Sequence, residues 1–202
     1  MPNVALVPPP LLLGFALGLR HALDADHLVA MSTIVSRERS LPRGALLGAR
    51  WGVGHCLSLF TVGVAVVLLG IPFPETVGHA LELGVGGMLV ALGLASLVRG
   101  ERSTAAPSAS RRPFLVGVAH GLAGSGALAI LVLATIRSPL EGLLYIALFG
   151  LGSVGGMVGM SAIMAFPFVV AAPRAGQAPV WMGQAAALAS VAFGVYYIAH
   201  QA

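Results

Sequence analysis

The chain has 202 residues, of which 57% are hydrophobic and 9% charged, and its mean hydropathy is +0.94. Globular domains carry roughly 25% charged residues, so too little charge is present to wet a soluble surface; a soluble enzyme, a disordered chain and a secreted disulfide scaffold are excluded. The formal charge of +4 rests on eleven basic residues, all arginine and mostly in short polar breaks, which reads as membrane topology rather than a nucleic-acid footprint.

A spanning helix needs about 20 apolar residues. Segments 11–36, 44–70, 77–98, 114–136, 142–170 and 180–200 meet that length and predict an all-α integral membrane protein with six transmembrane helices. Polar, proline-bearing breaks separate them at 37–42, 71–74, 99–113, 137–139 and 171–179. No positive charge precedes Leu11, Leu12 and Leu13, so a cleaved signal peptide is not expected. Arg37, Arg39, Arg43, Arg50, Arg99, Arg102, Arg111, Arg112 and Arg174 fall on one side and only Arg137 on the other. The positive-inside rule then puts both termini outside the cytoplasmic membrane and makes 99–113, rich in Ser, Ala and Pro, a cytoplasmic linker. A lone cysteine, Cys56, forbids an internal disulfide.

The linker divides the chain into halves at 1–98 and 114–202, and the halves resemble each other. Residues 17–23 (LGLRHAL) lie over 116–122 (VGVAHGL), which aligns His21 with His120, and 51–55 (WGVGH) lie over 149–153 (FGLGS). The offsets are 99 and 98 residues. Three helices per half make the second copy enter from the opposite face, an inverted repeat of the kind that places a transport site near the midplane. The third and sixth helices give no convincing match. Four-residue glycine pairs (Gly14/Gly18, Gly48/Gly52, Gly117/Gly121, Gly152/Gly156, Gly155/Gly159) predict close helix packing.

Helix 1 holds Arg20, His21, Asp24, Asp26 and His27 near its centre. Each central Asp or Arg costs about 2.5–3.5 kcal/mol to insert, so these charges must face a protein interior or a wet cavity. Two carboxylates with two imidazoles suit a borderline divalent transition ion such as nickel, cobalt, zinc or copper. In a regular helix His21, Asp24 and His27 share one face and Asp26 points away. Asp26 therefore either takes another role, such as pairing with Arg20, or lies where the helix is unwound, as happens at transporter sites. The structural alternative is an ion-pair cluster in which Arg20 holds Asp24. His55 in helix 2 is a further ligand candidate, and His120 in helix 4 is left open between ligand and packing residue. His79 and His200 read as interfacial, and Glu82 as either proton carrier or boundary residue. Imidazole binds metal only when neutral, so protons compete with the ion.

The stretch 20–28 (RHALDADHL) resembles the His-x4-Asp-His signature of the nickel/cobalt transporter family, and Gly54-His55 resembles its second histidine motif. Residues 120–125 (HGLAGS) and 150–153 (GLGS) resemble the shorter nickel permease-like proteins linked to urease accessory functions. The resemblance implies passage of Ni2+ or Co2+ as transported substrate, with His21, Asp24, Asp26, His27 and His55 as metal residues. It adds His120, Ser125 and Ser153 as further candidates. It implies no resident cofactor, no enzymatic activity and no nucleic acid, and as partners the bilayer, a homo-oligomer or metalloenzyme-maturation proteins. The sequence departs from typical members in lacking a counterpart of an added N-terminal helix, an Asp-Thr motif in helix 4 and a histidine-rich cytoplasmic tract. The last weighs against export. An exporter of another solute with a His/Asp proton relay, and a metal-binding accessory or sensing protein, are the competing readings. No His-Glu-x-x-His motif supports a metalloprotease.

Overall fold

The computed structural model describes residues 9–36, 38–69, 74–99, 111–135, 138–171 and 177–201, with side chains for all of these except 9–11, 99, 124–135, 171 and 201. Among them are seven helices and no strand: α1 (Pro9–His21), α2 (Ala25–Val35), α3 (Leu41–Leu69), α4 (Glu75–Arg99), α5 (Arg112–Thr135), α6 (Pro139–Ala171) and α7 (Ala178–Gln201). Within the described residues α3, α4, α6 and α7 are long and apolar enough to cross a membrane. The starts follow local chemistry. Ser40 and Ser138 accept the first helical hydrogen bonds of α3 and α6, and Pro42 and Pro139 sit in the first turns, where a missing N–H costs nothing.

The predicted first helix is divided in two. α1 and α2 have 13 and 11 residues, about 20 and 16 Å at 1.5 Å per residue, so neither alone matches a hydrocarbon core of about 30 Å. The linker predicted at 99–113 lies largely outside the described residues, between the ends of α4 and α5.

α3 packs along both α5 and α6, α1 lies on α6, and α4 lies on α7. Glycines set these crossings. A Cβ on Gly18 would collide with the Phe149 carbonyl, and one on Gly152 with the Phe15 carbonyl, at the α1·α6 contact. At α3·α5, Gly117 lies against the Trp51 carbonyl and Gly54 against the Phe114 carbonyl. Gly18 and Phe15 shifted by 99 positions are Gly117 and Phe114, and Trp51 and Gly54 shifted by 98 are Phe149 and Gly152, so both crossings use the same contacts in the registers read from the sequence. At α4·α7, Gly93 meets the Ala187 carbonyl and Gly194 the Gly86 carbonyl, a reciprocal pair related by 101 positions.

Large apolar side chains such as Leu57, Leu68, Leu151, Ile163 and Leu188 remain exposed on α3, α6 and α7, as suits surfaces solvated by lipid. The interior holds Met31, Val35, Leu47, Trp51, Leu89 and Met157, and among them lie His27, His55 and His120, each at most 2% exposed. Three imidazoles at the centre of an apolar bundle need a chemical reason.

Candidate metal centre

The site begins where helix 1 breaks. Leu23 N–H bonds Arg20 O at 2.8 Å and Asp24 N–H bonds His21 O at 3.0 Å, three-residue closures that tighten and end α1. Asp24 is then extended (φ −62°, ψ 145°), and its carbonyl accepts the first bond of α2 from Leu28 N–H at 3.0 Å. An aspartate here ordinarily caps the following helix with its side chain. Asp24 does not; its carboxylate accepts from His21 Nδ1 at 2.7 Å. That contact holds the proton of His21 on Nδ1 and leaves the Nε2 lone pair free for a metal, the arrangement by which carboxylates orient metal-binding histidines.

Unwinding also redirects Asp26, which a regular helix would turn away from His21, Asp24 and His27. Its Oδ1 accepts from the backbone N–H of His27 at 3.0 Å and lies 3.1 Å from His27 Nδ1, while Oδ2 lies 2.8 Å from His120 Nε2. Of the alternatives open for Asp26, pairing with Arg20 does not form. Arg20 is exposed, and both carboxylates are engaged by imidazoles.

α3 supplies His55 and α5 supplies His120. His55 Nε2 lies 3.1 Å from His21 Nε2. The backbone comes close here because Gly121 of α5 packs on the His55 carbonyl, and Ser58 Oγ–H donates to the Val118 carbonyl at 2.9 Å. Ring centroids lie 4.5 Å apart for His21–His27, 5.0 Å for His27–His55 and 4.3 Å for His27–His120. Trp51 covers the cluster, 5.1 Å from His27 and 5.6 Å from His120. One donor atom each from His21, His27 and His55 lie within 4.8 Å of one another, and so do donors from Asp26, His27 and His120.

These distances suit metal coordination. Imidazole nitrogens bind a first-row divalent ion such as zinc at about 2.0–2.1 Å, so neighbouring donors on one ion stand about 3 Å apart. His27 Nε2, His55 Nδ1, His120 Nδ1, Trp51 Nε1 and Ser153 Oγ are buried without a hydrogen-bond partner among the described residues. Each such atom costs about 1–3 kcal/mol. An interior of satisfied packing histidines would not leave so many in one place.

The fold therefore brings together His21, Asp24, Asp26, His27, His55 and His120. Ser153 is fully buried, and the side chain of Ser125 lies outside the described residues. His79 is exposed, and His200 donates from Nδ1 to the Tyr196 carbonyl at 2.9 Å, away from the site. Sequence reasoning misses Trp51, which enters it only as part of a repeat motif; a tryptophan one helical turn before a buried His55 was the available signal.

If Asp24 orients His21, Asp24→Ala weakens Ni2+ binding by about 10–100-fold, the usual loss for such a carboxylate. Equilibrium binding to the purified protein checks this, and wild-type affinity would leave Asp24 without that role.

The chain is 32% identical over 206 aligned positions to a urease accessory protein, UreH, of Bacillus sp. strain TB-90, covering 93% of this chain and 90% of that protein. It is 28% identical over 157 positions to a protein of Methanocaldococcus jannaschii named as a candidate nickel/cobalt efflux system, covering 73% and 72% respectively. No family model and no solved structure matches it.

Proposed function

The chain belongs to a nickel/cobalt transporter-like family of multi-pass membrane proteins, and from that premise we propose that it carries Ni2+ and/or Co2+ across the cytoplasmic membrane, in the direction of uptake. The observation that carries the reading is the cluster at the helix break: four imidazoles and two carboxylates on α1, α2, α3 and α5, with buried donors left unpaired. Imidazole-rich sites favour borderline divalent ions over Mg2+ and Ca2+. His21, Asp26, His27 and His55 bind the ion, Asp24 orients His21, and His120 joins them. The protein is a carrier rather than an enzyme.

The architecture is six spans in a three-plus-three inverted repeat. α1 and α2 form one span broken at its middle, and α5, with 24 residues or about 36 Å, forms another. The reciprocal glycine contacts of α1·α6 with α3·α5, and those within α4·α7, support a pseudo-twofold relation between the halves. The arginine distribution supports both termini outside. A broken helix suits the task, since freed backbone groups and side chains can meet a cation inside the membrane only where protein lines the cavity. The relative named as a urease accessory protein favours a second reading, in which the protein binds metal for a metalloenzyme-maturation partner without carrying it.

Radioactive nickel flux into proteoliposomes decides between them. The intact protein should accumulate nickel, His21→Ala and Asp26→Asn should not, and both variants should still insert. Imposed pH gradients of both signs reveal any proton coupling. Binding without flux would favour the accessory reading, and wild-type accumulation by the variants would remove the cluster from transport.

A further inference from the structure

The donors at the break form two groups rather than one cage. His21, His27 and His55 make the first, Asp26, His27 and His120 the second, and His27 is the only member of both. Its ring is central, within 4.3–5.0 Å of the His21, His55 and His120 rings, whereas His55 and His120 are 6.0 Å apart. Its nitrogens are also differently engaged. Nδ1 faces Asp26 Oδ1 at 3.1 Å, and Nε2 is buried with no hydrogen-bond partner among the described residues. A neutral imidazole has one lone pair and one N–H, on different edges of the ring.

We propose that the two groups are successive positions for a single ion, which passes from His21–His27–His55 to Asp26–His27–His120, with His27 offering Nε2 in the first and, once its ring proton has moved from Nδ1 to Nε2, Nδ1 in the second. This rests on the transport reading above. The first group consists of nitrogens alone, and the two are alike in exposure, with His21 at 19% and Asp26 at 20% beside buried partners. The first selects for ions that accept imidazole. The second adds the Asp26 carboxylate, whose oxygens already lie against His27 and His120 at 3.1 and 2.8 Å, and so offers a charged ligand for a divalent cation. The shared ring keeps the two positions next to each other. It also forbids filling both positions at once, since one ring offers one lone pair.

The second position extends the site along the chain from His21 toward the α2 side of the break, which is the direction uptake requires. It gives His120 a function that its place in the second half does not by itself suggest. The pseudo-equivalent of His21 is His120, but the pseudo-equivalent of His55 is Ser153, so the second position cannot be a copy of the first. It is completed instead by Asp26 and His27 of the first half, and the ion thereby crosses from one half to the other.

Purified full-length protein with Co2+ as the ion tests this, using equilibrium dialysis, visible and X-ray absorption spectra and proteoliposome flux. The intact protein should bind one Co2+ per chain. His120→Gln and His55→Gln should each still bind one, with a nitrogen-only first coordination shell from protein in the former and a carboxylate oxygen in the latter, and flux should fall at least about ten-fold in both. Two ions per chain, identical spectra in the two variants, or wild-type flux from His120→Gln would overturn the proposal. Binding lost alike in both variants, with their elution on size exclusion unchanged, would also overturn it in favour of one cage. Absence of flux from the intact protein would overturn the transport reading, while the two spectra would still decide whether two positions exist.

Discussion

His27→Ala abolishes both metal binding and flux, the largest single-residue effect expected in this protein. His27 is the only side chain in both donor groups, so its loss leaves His21 with His55 on one side and Asp26 with His120 on the other. Two donors from a flexible, proton-competed pair hold a borderline ion far more weakly than three. The fall in affinity should therefore exceed the about 10–100-fold cost of removing an outer carboxylate such as Asp24. The apolar surroundings of Trp51 and Met31 should keep the variant folded, because deleting a buried imidazole also removes an unpaired nitrogen. His27→Gln fills most of the volume without restoring a lone pair in the ring plane, so it should behave as the alanine variant does. Binding isotherms and flux on the two variants check this; nickel accumulation at the wild-type rate by either would exclude the site at the helix break.

The charge cost of Arg20, Asp24 and Asp26 inside an apolar span was legible in the sequence, and it pointed to the segment where the candidate donors gather. What the sequence could not supply was the conformation that uses those charges. A regular helix puts Asp26 on the wrong face, and only the extended backbone at Asp24 turns it toward His27 and His120. Local signals for that break are weak, since the segment Ala22–Leu23–Asp24 holds no glycine or proline, and aspartate alone favours a cap without demanding one. The structural alternative, in which Arg20 holds Asp24, does not form: Arg20 is exposed and the Asp24 carboxylate accepts from His21 Nδ1.

A likeness between the halves was partly legible. The 99- and 98-residue registers aligned the helices that carry His21 with His120 and His55 with Ser153, and the glycine contacts follow the same registers. The helices expected third and sixth, α4 and α7, gave no convincing match, and the pattern they share is short: residues 90–93 (VALG) against 191–194 (VAFG), in register by 101. That is little information in a chain with 27 glycines and a uniformly apolar composition. Its significance lies in the contact it makes, since Gly93 and Gly194 each pack on the other helix's backbone.

Those contacts make the second large effect. Gly117→Ala should destabilise the protein and disable the site, while Gly159→Ala should do neither. The added methyl is the same, and in a helix interior it ordinarily stabilises by about 0.5–1 kcal/mol relative to glycine. At Gly159 nothing among the described residues lies within 4 Å of the new Cβ, so that gain is kept. At Gly117 the Cβ would meet the Trp51 carbonyl, and backbone cannot turn aside as a side chain can. Relief requires α3 and α5 to separate, at about 1–3 kcal/mol or more. Separation also moves His55, one turn beyond Trp51 on α3, away from His120 on α5, so the cluster loses its geometry along with the packing. Thermal unfolding in detergent should show Gly117→Ala melting below the intact protein and Gly159→Ala at or above it, with nickel binding lost only in the former. Equal melting temperatures for the two variants would mean that the α3·α5 crossing tolerates a wider spacing. The position of His55 would then have to be set by something other than glycine-mediated contact.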